Sequence, residues 1–417
     1  MPCNSLDRGV KPDSRYAAFR LAVALLVMTV GAAGMYAVPV VLTAVQADFG
    51  VARAEASLPY ALVMVGFGIG SFPAGRVVDR IGLPVPLAIS GLCLGAGFVI
   101  AGWASSFTTF CVAHGLLIGL LGSSATFAPM LADTAQWWVR RRGIAVAICA
   151  SGNFLGGAIW PPVVQACVES WGWRATYVGI GVATAIGIVA LAALMRPRPP
   201  AASAAPARPG FGSPSETPFG LPSDKAIVLL CIASLSCCIA MSMPQVHIVA
   251  YCVDLGFGPA RGAEMLSLMF ACGIVSRLGG GFLADRIGAL RVLLIGSAMQ
   301  ATALAFFLPV RGLVPLYLIS ALFGLFQGAI VPSYAVVIRE YFLPHRTGGQ
   351  VGAVITCAML GMALGGWMSG RIFDLTGSYQ AAIVNGIAWN LLNIVIVGAL
   401  LLRSRSPRLD GLRGAPY

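Results

Sequence analysis

Arg277 carries a charge where the surrounding sequence supplies little to hold it. It lies inside the apolar stretch LMFACGIVSRLGGGFLADRIG, eight residues before Asp285. On a helix rising ~1.5 Å per residue, that is about 12 Å deeper than the loop that follows. A guanidinium at such depth costs several kcal/mol unless it faces a cavity or a partner. Its planar fork of donors suits a carboxylate, held by two parallel hydrogen bonds. The competing structural role is pairing with Asp285 or snorkelling to the interface. Tyr36, Asn153, Gln245, His247, Gln327 and Tyr334 are polar residues in other apolar stretches. A few such groups in an apolar pocket would orient a small acid, although each could equally make an interhelical hydrogen bond worth about 0.6 kcal/mol. His247 titrates near neutral pH, and no Asp or Glu competes from the centre of an apolar stretch.

Other chemistry is not signalled. The eleven cysteines are scattered, mostly inside apolar stretches, with no Cys-x-x-Cys pair. The three histidines are far apart, and no phosphate-binding glycine loop or Ser/His/Asp arrangement occurs in a loop. No catalytic residue, metal or cofactor is therefore expected, and the chain does not read as an enzyme.

The elements that must position Arg277 follow from composition. Of 417 residues, 58% are hydrophobic and 10% are charged, against about 25% charged in a soluble domain. A water-soluble globule, a disordered chain and a membrane β-barrel are all excluded. Apolar stretches fall at 20–44, 56–75, 84–104, 107–131, 143–167 and 173–195, then at 226–251, 262–284, 290–310, 313–338, 348–370 and 380–402. Each is long enough for a spanning helix. The expected organisation is a tail at 1–19, six helices over 20–195, a Pro/Ala/Ser-rich linker at 196–225, six helices over 226–402 and a tail at 403–417. With the N-terminus inside, 21 basic residues fall on the inner side and five on the outer, leaving Arg277 within a span. This obeys the positive-inside rule, places both termini in the cytoplasm and accounts for the +12 net charge without nucleic acid. Arg outnumbers Lys 25 to 2 in an Ala/Gly-rich chain, which suggests a bacterial inner membrane.

The halves repeat. GRVVDRIG at Gly75–Gly82 matches GFLADRIG at Gly281–Gly288, and GVARAEASL at Gly50–Leu58 matches GPARGAEML at Gly258–Leu266. Parallel six-helix repeats are the plan of a large transporter fold. These loops resemble the signature of the major facilitator superfamily, departing from it at Leu83 and Pro84, where basic residues are usual. WWVRRRGIAVAICASGNFLGG at Trp137–Gly157, with WGWR at Trp171–Arg174, is similar to the monocarboxylate transporter and oxalate/formate antiporter branch. The resemblance implies an all-α protein of twelve helices in two pseudo-symmetric bundles, with the pocket between them. It also implies that an Arg at the place of Arg277 binds the substrate anion. Many proton-coupled relatives carry Asp four residues earlier, where this chain has Gly273, and oxalate exchangers carry a Lys in helix 11 that is absent here.

Gly75, Asp79, Arg80, Gly82, Asp285, Arg286 and Gly288 are expected to form the inner gating motifs, with inter-helix charge contacts that stabilise an outward-open state. Arg142, in the run Arg140–Arg142, is read as topological, with gating or lipid headgroup contact as its further role. Glycines at four-residue spacing, such as Gly324/Gly328 and Gly361/Gly365, let helices approach closely. The expected function is secondary transport of a small organic anion, a monocarboxylate, by proton symport or anion exchange. A drug or metabolite exporter is the rival reading, and a membrane sensor fits less well. The expected partners are a small carboxylate, protons as a candidate coupling ion and the lipid bilayer, with the protein acting as a monomer.

Overall fold

The computed structural model describes residues 12–139, 141–195, 216–343 and 347–405. Arg140, Arg346, most of the N-terminal tail, the first twenty residues of the linker and the last twelve residues lie outside the described residues. No β-strand forms among those described. Among the described residues eleven helices are long and apolar enough to cross a membrane, and the one at Arg142–Leu194 is 53 residues long. It divides at Gly172, whose φ of 77° and ψ of 160° leave helical space, a conformation that glycine alone tolerates well. Twelve spanning segments result.

They are α1 (Arg15–Phe49), α2 (Arg53–Ile81), α3 (Pro84–Gly102), α4 (Phe107–Trp137), α5 (142–171), α6 (173–194), α7 (Ser223–Asp254), α8 (Pro259–Ile287), α9 (Ala289–Phe306), α10 (Leu313–Tyr341), α11 (Thr347–Thr376) and α12 (Tyr379–Arg405). α1 begins and α12 ends on one side, here termed the terminal face; the other side is the opposite face. α1–α6 form one bundle and α7–α12 the second. α2 meets α11, and α5 meets α8, across the middle.

Local chemistry sets the helix ends. The Ser14 hydroxyl accepts from the Ala17 N–H at the start of α1. Gly82 and Gly288 end α2 and α8 with φ of 85° and 89°, so the two repeat glycines make the same sharp exit at the terminal face. α4 is π-helical over Ala113–Ser123 and continues as a 3-10 turn at Ser124–Thr126. The paired glycines bring backbones together: a methyl at Gly324 would overlap the Met269 carbonyl oxygen, and one at Gly328 that of Gly273. α7 starts at Ser223, inside the segment read as linker, and Phe219 just before it is buried, its ring 4.5 Å from that of Tyr341. Pro218 is buried beside it and Leu221 packs against the core, so this end of the linker is seated on the bundle.

Candidate functional site

Arg277 sits where α5, α8 and α10 meet. Its Nη1 donates to the Ala150 carbonyl oxygen of α5 at 2.8 Å and its Nε to that of Gly328 on α10 at 3.4 Å. The guanidinium carbon lies 4.0 Å from the centroid of the Phe154 ring, a cation–π contact. Asp285 is not its partner, and among the described residues no carboxylate forms an ion pair with it. Nη2 likewise has no protein acceptor among them.

Phe154 leads from the arginine across the two bundles. Its ring meets Phe270 edge-on at 5.4 Å, and Phe270 lies 4.4 Å from Tyr36. The Tyr36 hydroxyl donates to Asn153 Oδ1 at 2.8 Å, and Asn153 Nδ2 lies 3.6 Å from Met35 Sδ. Two glycines make this arrangement possible. A methyl at Gly273 would overlap the Phe154 ring, and one at Gly157 would overlap the Phe270 ring. α5 and α8 therefore clasp reciprocally through Phe-x-x-Gly segments, Phe154 to Gly157 and Phe270 to Gly273. The space beside Gly273 is filled by an aromatic face.

On α7, Gln245 Nε2 donates to Gln327 Oε1 of α10 at 2.7 Å. Gln327 is 1% exposed, and its own Nε2 is buried with no hydrogen-bond partner. A buried amide donor left unpaired costs roughly 1–3 kcal/mol. Gln327 adjoins Gly328, the residue that anchors Arg277.

Two expected pocket residues lie elsewhere. Tyr334 is fully buried inside the C-terminal bundle, donating to Asn393 Oδ1 at 2.7 Å; Asn393 in turn donates to Ser297 Oγ at 2.7 Å. Its depth along α10 matches a pocket, but the helix turns it toward α9 and α12. His247 is also fully buried. Nε2 pairs with the Gly366 carbonyl at 2.8 Å and Nδ1 with the Tyr379 hydroxyl at 3.0 Å. It belongs to a cluster at the opposite face, seven residues from the end of α7.

That cluster is not evident from sequence. Arg53, at the start of α2, places Nη1 and Nη2 each 3.2 Å from the Asp254 carboxylate of α7. Nη1 also donates to the Tyr379 hydroxyl of α12 at 3.0 Å, and the guanidinium lies 4.5 Å from the Phe373 ring. Asp374 of α11 accepts from the Arg53 and Ala54 backbone N–H groups at 2.9 and 2.8 Å. The first turn of α2 is thus capped by a carboxylate from the other bundle, which also suits the helix dipole. Charge counting assigns Arg53 to topology. The available signal was its place in the repeated segment GVARAEASL, together with an Asp at the end of each of α7 and α11. Hydrogen bonds between the bundles run from this cluster, through Ser267 Oγ donating to the Ala158 carbonyl, to Arg277.

At the terminal face, Asp79, Arg80, Asp285 and Arg286 are exposed, and none of them forms an ion pair among the described residues. Arg286 lies 4.2 Å from the Phe282 ring. Gly75 has open space around it. Arg142 Nε donates to the Trp138 carbonyl at 3.0 Å. The paired arginine here is Arg20, also read as topological: it is 3% exposed and held to both oxygens of Asp133 at 2.8 Å.

Comparison with known proteins agrees with this architecture. The family model of the Major Facilitator Superfamily matches residues 23–365 and 230–416. Monocarboxylate transporter 13 of Rattus norvegicus is 28% identical over 336 residues, covering 78% of this chain and 75% of the relative. An uncharacterized MFS-type transporter, YcxA of Bacillus subtilis, is 23% identical over 350 residues, covering 82% and 85%. A bacterial homologue of the human lysosomal transporter Spinster, solved inward-facing and unoccupied, superposes with a TM-score of 0.69 at 14% identity, covering 94% of this chain and 98% of that one. With the repeat, the twelve spans and a model match over most of its length, the chain is a multi-pass membrane protein of the Major Facilitator Superfamily.

Proposed function

We propose that this transporter moves a small organic monoanion, a monocarboxylate, by alternating access between its two bundles. One observation carries the reading: Arg277 lies at the junction of the bundles without a counter-carboxylate, held by two backbone carbonyls and an aromatic face. Its Nη2 remains free for an anion. The unpaired Nε2 of Gln327 is a second donor close by in sequence to the Gly328 anchor, and Tyr36, Asn153 and Gln245 shape the apolar surroundings. One uncompensated positive charge suits a monoanion better than a dianion or a cation. The relatives named monocarboxylate transporters support the same substrate class.

The setting is a bacterial inner membrane with both termini cytoplasmic, which makes the opposite face periplasmic. The state seen is then closed outside by the Arg53 cluster, with the motif charges at the inner face unpaired. Asp79, Arg80, Asp285 and Arg286 exchange into inter-helix contacts when that face closes, with Arg142 beside them. Gly82 and Gly288 give the motif loops their shape, and Gly75 keeps the last turns of α2 open to a neighbour.

The test is uptake into proteoliposomes of a panel of labelled mono- and dicarboxylates, with and without a pH gradient. Monocarboxylate uptake is expected, and Arg277→Ala should abolish it while the protein still inserts. Normal uptake by Arg277→Ala overturns the anion site. Movement of organic cations but not acids favours an exporter. The gradient arm separates symport from exchange.

A further inference from the structure

The opposite-face cluster has a hydrogen-bond order fixed by its chemistry. The Gly366 carbonyl can only accept, so His247 Nε2 must carry a proton and donate to it at 2.8 Å. In the neutral ring Nδ1 is then an acceptor, and the Tyr379 hydroxyl, 3.0 Å away, must donate to it. The tyrosine oxygen in turn accepts from Arg53 Nη1 at 3.0 Å. The relay therefore runs Arg53 to Tyr379 to His247 to Gly366, each link determined by the next.

His247, Gly366 and Tyr379 all belong to the C-terminal bundle, whereas Arg53 is the group that arrives from the N-terminal one. The titratable and charged groups around His247 are Tyr379 from α12, Arg53 from α2, Asp374 from α11, and Asp254 and Tyr251 on α7 itself. A proton on Nδ1 reverses the Tyr379 link. The hydroxyl then faces two cationic donors, and its own proton loses its acceptor. The imidazolium also stands one hydroxyl away from Arg53, with His247 and Tyr379 both buried. When the bundles part at this face, Arg53 leaves both Tyr379 and Asp254, and the site regains access to water.

We propose that a proton on His247 and the guanidinium of Arg53 are alternative occupants of this cluster, so that acid at the opposite face unlatches the two bundles there. This rests on the alternating-access reading but not on the identity of the substrate. It assigns His247 to a proton-operated gate, distinct from the anion pocket at Arg277. Binding one proton on opening changes the open-to-closed ratio by up to about tenfold per pH unit across the working range.

The Arg53 and Ala54 amides donate to Asp374 only when the latch is closed, so their protection reads its state directly. Hydrogen–deuterium exchange of the full-length protein in nanodiscs, without substrate, is followed from about pH 5.5 to about pH 8, around the histidine range, with rates corrected for intrinsic chemistry. Peptides covering the start of α2 should lose protection as the pH falls. His247→Gln, whose amide can donate to Gly366 and accept from Tyr379, should stay protected throughout. Tyr379→Phe, which frees Nδ1, should move the transition to higher pH. Arg277→Ala should still lose this protection on acidification, with its midpoint moved because the bundle contact to Ala150 is also gone, while anion uptake is lost, so the two readings fail separately. Protection that does not change with pH in the wild type, an undiminished response in His247→Gln, or an unmoved transition in Tyr379→Phe each overturns the proposal.

Discussion

Replacing Arg277 by Lys keeps the charge but removes the fork, and the structure sets how much that should cost. The wild-type guanidinium spends Nη1 on Ala150 and Nε on Gly328, and its carbon lies 4.0 Å from the centroid of the Phe154 ring. These contacts fix the plane in which Nη2 is offered. An ammonium is a point charge on a flexible stem and cannot hold both carbonyls while presenting a fixed donor. A charge-assisted hydrogen bond contributes about 1.5–3 kcal/mol. Losing one of them to the substrate should raise the half-saturation concentration roughly 10- to 150-fold. Arg277→Ala removes the charge as well, and uptake should fall below detection. Initial-rate uptake in proteoliposomes measures both, provided reconstituted protein is quantified in each vesicle preparation. A control comes from competition by the acid and by its neutral amide. The wild type should prefer the acid strongly, Arg277→Lys weakly and Arg277→Ala not at all. If Arg277→Lys has the wild-type half-saturation constant, or if Arg277→Ala still prefers acid over amide, the guanidinium does not hold the carboxylate.

Three further outcomes follow from the packing. Asp133→Asn leaves Arg20 buried without its counter-charge and should cost roughly 3–5 kcal/mol, seen as a lower unfolding temperature in detergent; Arg20→Gln in the same chain should recover part of it. Gly324→Ala drives a methyl into the Met269 carbonyl oxygen and should destabilise the α8–α10 contact by about 1–3 kcal/mol, read by the same melt. Tyr334→Phe removes the hydroxyl that serves Asn393, so it should lower stability by about 1 kcal/mol while leaving the uptake half-saturation unchanged. A changed half-saturation would return Tyr334 to the pocket.

Much of this protein is legible in its sequence because a bilayer imposes one-dimensional rules. Length and apolarity mark the spans, and the distribution of Arg orders them. The repeated Gly75–Gly82 and Gly281–Gly288 segments disclose the two-bundle plan. Arg277 stands out for the same reason, since a charge within a span is costly enough to demand a purpose. Depth along a helix is therefore readable; direction around it is not. Tyr334 and Gln327 lie seven residues apart, a spacing that would put them on one face of an unbroken helix, but α10 breaks between Gln327 and Ile330, and one is turned into a bundle core while the other is left with an orphan donor. Polarity alone groups His247 with Arg277, and the fold separates them. Phe154 and Phe270 give no signal in an apolar run; their role appears once the reciprocal glycines bring α5 and α8 together. Arg53 shows the limit best. Local sequence explains it as a loop charge, while its partners Asp254, Asp374 and Tyr379 lie more than two hundred residues away. Sequence determined which segments enter the membrane and in what order, because burial in lipid acts residue by residue. The tertiary structure decided which polar groups meet, because ion pairs and hydrogen bonds depend on the rotation and approach of helices from different parts of the chain.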